Sequence, residues 1–104
     1  MSGISISIHD LRATVAILLD SLEDQLGPTV DLAADYYWTV DPDAAYSLDH
    51  APASGPLVGQ LSDDVATVRS ALADRIGPGE TWHVLRHVNG ILARLAWLSA
   101  HESA

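Results

Sequence analysis

Three stretches of this chain repeat apolar residues at steps of three and four, and two of them stop at Gly-Pro. That spacing places the apolar positions on one side of a helix, so it restricts the chain to amphipathic helices that share a core. The first stripe is Ile8, Leu11, Val15, Leu18, Leu22 and Leu26, widened by Leu19. Ser7 stands where an N-cap is needed, with Asp10 three positions on, and Gly27-Pro28 closes the segment. The second stripe, Val65, Val68, Leu72 and Ile76, follows Ser62 as the expected cap and ends at Gly77-Pro78. Asp63 and Asp64 then read as ordinary partners of the positive end of the helix dipole. The third stripe runs through Val84, Val88, Ile91, Leu95 and Leu98, with Leu85, Leu92 and Ala96 beside it. Its apolar arc covers nearly half the circumference, so this helix is expected to be central or packed on two sides.

At 104 residues, almost half hydrophobic and only 18% charged, the chain fits a single ordered domain, 1–104. The expected fold is mainly α: a three-helix bundle with a small β-hairpin or irregular insert between helices 1 and 2. The expected bounds are helices at about 8–26, 62–76 and 81–101, with the insert at about 30–58.

A structureless insert of that length would be unusual in a compact domain. It holds all three tyrosines and one of the three tryptophans of a chain that has no Phe. YYWTV is rich in strand formers, DPDA has turn chemistry, and AYSL can return as a second strand, so residues 36–49 read as a hairpin. V-G-Q then reads as the approach to the second helix.

Charge narrows the function. Between Arg12 and Arg69 there is no Lys or Arg, while ten acids fall there, and the net charge is −9. Nucleic acids and anionic membranes require clustered cations, so neither is an expected partner. Without Lys there is no P-loop, without Cys no thiolate chemistry, and the serines lack a nucleophile-elbow context. The N-terminus lacks the basic and apolar regions of a signal peptide, and a cytoplasmic location is expected.

The last helix carries a second seam of His83, His87, Gly90, Arg94, Trp97 and His101, at steps of four and three. Glycine inside a helix costs about 1 kcal/mol against Ala, so close approach of a backbone or an aromatic ring at Gly90 is expected. Arg94 is placed to pair with an Asp of the insert. The surface expected to meet a protein partner or a second copy comprises Tyr36, Tyr37, Trp38 and Tyr46 of the insert with the six residues of that seam. The resulting reading is a small acidic interaction or accessory module that self-associates, not an enzyme and without a cofactor. The alternative is a metal-binding protein or metal-dependent enzyme. His83 and His87 have the spacing with which two imidazoles on one helix meet a divalent transition metal, and Glu80 is a third candidate ligand.

Overall fold

The computed structural model describes residues 3–40, 45–46, 57–74, 76–77 and 79–102. The chain is mainly helical; among the described residues there are three helices longer than one turn and a small two-stranded antiparallel sheet between the first two of them. The helices are α1 (Ile8–Leu26), α2 (Leu61–Ala73) and α3 (Thr81–Glu102), and the strands are β1 (Tyr36–Thr39) and β2 (Leu57–Gln60). Two compact units divide the chain: residues 1–31 with 97–104, and residues 32–96.

In the first unit α1 forms as its caps dictate. The Ser7 side chain accepts from the Asp10 backbone N–H at 3.3 Å. At the other end Gly27 takes φ 93° and returns its N–H to the Glu23 carbonyl, a backbone conformation that costs glycine little. The last turns of α3 belong to this unit, where Gln25 and Ser99 form a two-way pair. The Gln25 amide donates to the Ser99 carbonyl at 2.9 Å, and the Ser99 hydroxyl donates to Gln25 Oε1 at 2.5 Å.

In the second unit the strand pairing differs from the expected hairpin. β1 pairs with Leu57–Gln60, in the register Tyr36↔Gln60, Tyr37↔Gly59, Trp38↔Val58 and Thr39↔Leu57. The stretch first read as an approach to the second helix is therefore the second strand. Of the AYSL segment, Ala45 is helical and Tyr46 lies in a turn, while Ser47 and Leu48 fall outside the described residues. The physical reason for β2 is the fit at Gly59: a β-carbon there would overlap the ring of Tyr37, so only glycine lets that ring lie across the neighbouring strand.

β2 runs straight into α2, which occupies 61–73 where 62–76 was expected. Its cap also comes from an unexpected place. Gln60 holds the N-cap position without a side-chain bond to the helix, and Asp35, just before β1, caps the helix across the chain. Asp35 Oδ1 accepts from the Ser62 N–H at 2.9 Å, and its carbonyl accepts from the Leu61 N–H at 2.6 Å. Ahead of Asp35, Ala33 holds a left-handed φ of 55°. Arg94 of α3 donates to the carbonyls on both sides of that bend, Leu32 at 2.7 Å and Ala33 at 3.4 Å. Among the described residues no helix is long and apolar enough to cross a membrane.

Candidate functional site

The interior of the second unit is polar at its centre. Leu61 and Asp64 are each 2% exposed, and Gly90 is also buried. Asp64 keeps step with Leu61, Val65 and Val68 on α2, so the helical period turns a carboxylate inward among apolar neighbours. A buried carboxylate is tolerable only when its oxygens are satisfied, and both are. Tyr37, from the inner face of β1, donates its hydroxyl to Oδ2 at 2.6 Å. His87, from α3, meets Oδ1 through Nδ1 at 2.6 Å.

Two glycines make the room. A β-carbon on Gly90 would overlap both the Asp64 carboxylate and the Tyr37 hydroxyl, and one on Gly59 would overlap the Tyr37 ring. The close approach expected at Gly90 is thus present, made by an aromatic hydroxyl and a carboxylate together. Burial pushes the Tyr37 hydroxyl up to about 12, the hydrogen bond to Asp64 and that group's charge push the same way, and Arg86 opposes them.

A second polar cluster supports the first. Asp35 Oδ2 accepts from the Gln60 amide at 3.0 Å, and that amide also reaches the Tyr36 hydroxyl at 3.3 Å. The bond from Gln60 and then the Ser62 N–H hold the Asp35 carboxyl below its ordinary value, against a smaller opposing effect of burial.

The remaining expected surface residues fall in different places. Tyr36 and Trp38 stand on the outer face of the sheet, opposite Gln60 and Val58, and are 68% and 74% exposed. Tyr46 is exposed in its turn. In the first unit His101 packs flat on Trp97, ring centroids 3.7 Å apart, and its Nδ1 lies 2.7 Å from the Trp97 carbonyl.

Around His87 the surface opens into two grooves of about 560 and 290 Å³. Asp63, His83 and His87 line both. His83 meets His87 edge-on, ring centroids 4.8 Å apart. Glu80, the third candidate metal ligand, accepts from the Gly77 N–H at 3.1 Å and so closes the turn before α3. Among the described residues no group of three or more His, Cys, Asp or Glu is arranged to hold a metal ion.

Sequence reasoning gave Asp35, Gly59, Gln60 and Asp64 no place in the candidate site, reading Asp64 as a dipole partner and V-G-Q as the approach to a helix. For Asp64 a signal existed: an acid in phase with an apolar stripe needs a buried partner. Comparison of the chain with protein-family models, curated proteins and solved structures finds no match.

Proposed function

We propose that the chain is a small acidic, cytoplasmic protein–protein interaction module that self-associates, and that a second copy covers the outer face of the β1–β2 sheet. The observation that carries this reading is the exposure of that face. Trp38, Tyr36 and Val58 are 74%, 68% and 61% exposed, while Leu61 is the one apolar side chain fully buried among the described residues. Contiguous aromatic and branched side chains left in water mark an interaction surface. A two-stranded sheet is also marginal by itself and gains from a cover.

Charge favours a second copy as that cover. Trp38, Tyr36 and Val58 carry no charge, so two chains of net charge −9 can meet there without pressing acid on acid. The acid excess also weighs against nucleic acid.

Light scattering on the full chain tests the reading. A dimer mass at micromolar concentration is expected, strengthening as salt screens the mutual repulsion, with Trp38→Ser shifting it to monomer. A chain that stays monomeric at every concentration and salt would overturn it. The second reading, a metal-binding protein using His83, His87 and Glu80, has one observation in its favour: a carboxylate on the inner nitrogen of His87 orients the ring as in ligating histidines. Zinc titration by calorimetry, before and after His87→Ala, separates the two.

A further inference from the structure

A histidine whose inner nitrogen is committed leaves its outer nitrogen with a defined character. Tyr37 keeps its proton and donates a hydrogen bond to Oδ2 of Asp64. A carboxylate has acceptor positions only, so Oδ1 takes its hydrogen from Nδ1 of His87. When the imidazole is neutral, its proton is then on Nδ1 and its lone pair at Nε2. Three elements hold this arrangement at once, β1 through Tyr37, α2 through Asp64 and α3 through His87. The ring is therefore fixed in orientation and, when neutral, in tautomer.

The surroundings of that lone pair resemble a ligand site more than a solvated face. The His87 side chain is 24% exposed, and it stands where the two grooves adjoin. The larger groove, at about 560 Å³, is within the range of small-molecule pockets. Its walls include the apolar Ala66, Ala71 and Val84, and the smaller groove adds the Tyr37 ring. Charge selects the protonation state of what enters. Asp63 lines both grooves and Asp64 lies behind His87, with Arg86 on one side only, so an anion is disfavoured.

We propose that Nε2 of His87 is the acceptor at a small-molecule site where the two grooves meet, and that its ligand is a neutral ring compound bearing one weakly acidic O–H or N–H, a phenol or an azole. The ring lies against the apolar wall and the donor points at Nε2. If the proton crosses, the ligand's O–H or N–H bond breaks and an Nε2–H bond forms. The resulting imidazolium keeps its Nδ1–H on Oδ1 of Asp64, and the ligand anion stays paired with it. Asp64 and Tyr37 act here as positioning residues.

The probe is 4-cyanophenol, which stays largely neutral at pH 7, titrated into the full chain while the ring nitrogens are followed by long-range proton–nitrogen correlation. His87 should appear with its proton on Nδ1 before any ligand is added. Its Nε2 resonance should then move saturably, while those of His9 and His101 do not. 4-Cyanobenzoate, which offers an ionised carboxylate in place of the donor, should leave His87 unmoved. His87→Gln should weaken binding by roughly tenfold or more. A proton on Nε2 in the unliganded protein, equal movement of all histidines, equal binding of 4-cyanobenzoate, or undiminished affinity in His87→Gln would each overturn the proposal. The titration of the unmodified chain decides the matter even if the variant does not fold.

Discussion

The hydroxyl of Tyr37 and the backbone of Gly90 lie so close that a β-carbon on Gly90 would occupy the same space. The contact joins β1 to the middle of α3, and the Asp64 carboxylate shares it. A residue with poor helical propensity thus sits mid-helix because the strand and α2 both need the space that a side chain would fill.

Gly90→Ala should therefore destabilise the protein although Ala is the better helix former. The propensity gain is about 1 kcal/mol, against a cost of about 1–3 kcal/mol for forcing atoms into a filled site. Both atoms in the way are polar ends bonded to each other, so moving either breaks a buried hydrogen bond. With about 1 kcal/mol added for that bond, a net loss of roughly 1–3 kcal/mol is expected, read as a lower denaturant midpoint with an unchanged slope. A midpoint at or above that of the parent would refute the account.

Tyr37→Phe should cost about 1–3 kcal/mol, because it keeps the ring but leaves Oδ2 of buried Asp64 without a donor. Combining it with Gly90→Ala tests whether the two act through one contact. Removing the hydroxyl relieves part of the overlap, so the double variant should lose less than the sum of the single losses. Simple additivity would show that the hydroxyl and the glycine are energetically independent.

The same hydroxyl predicts a dependence on alkali. Tyr37 is raised from 10.0 to about 12 in the folded chain, so the unfolded chain releases its proton first. Its contribution to stability is complete below about pH 10 and is lost as pH rises from there through about 12. Denaturant midpoints measured at stepwise pH should fall more steeply for the parent than for Tyr37→Phe across that window. Parallel curves would remove the hydroxyl from the account.

What was readable before the structure divides along physical lines. α1 and α3 were legible because periodicity and capping are local, and Ser7, Asp10 and Gly27 act within a turn of the residues they serve. The constraint at Gly90 was legible as an unexplained cost. The partner of β1 was not, because pairing with Leu57–Gln60 depends on the fit of the Tyr37 ring over Gly59, which no pattern within one strand expresses. Asp64 was misread for the opposite reason. Its place in the first turn of α2 already had a sufficient local explanation in the helix dipole, which hid its phase with Leu61 and Val65.

Asp35 extends that lesson to a cap supplied from another element. Its carboxylate takes the N–H of Ser62 and the amide of Gln60, while its own carbonyl takes the N–H of Leu61. Asp35→Ala removes the two side-chain bonds and spares the backbone one, so β1 and α2 should remain joined while the first turn of α2 frays. The expected signature is faster amide exchange at Ser62 and Asp63, with a lowered melting temperature and an unchanged helix end at Ala73. Asp35→Asn keeps one oxygen for one of the two donors and should fall between the parent and Asp35→Ala. The effect has a definite sign in acid. Because the folded carboxyl is held below its ordinary value of 3.8, its contribution is present above that value and lost as pH falls through the lowered one. Parent and Asp35→Ala should therefore differ near neutrality and converge on acidification. A difference that persists undiminished at low pH would mean that the cap acts through the shape of the side chain and not through its charge.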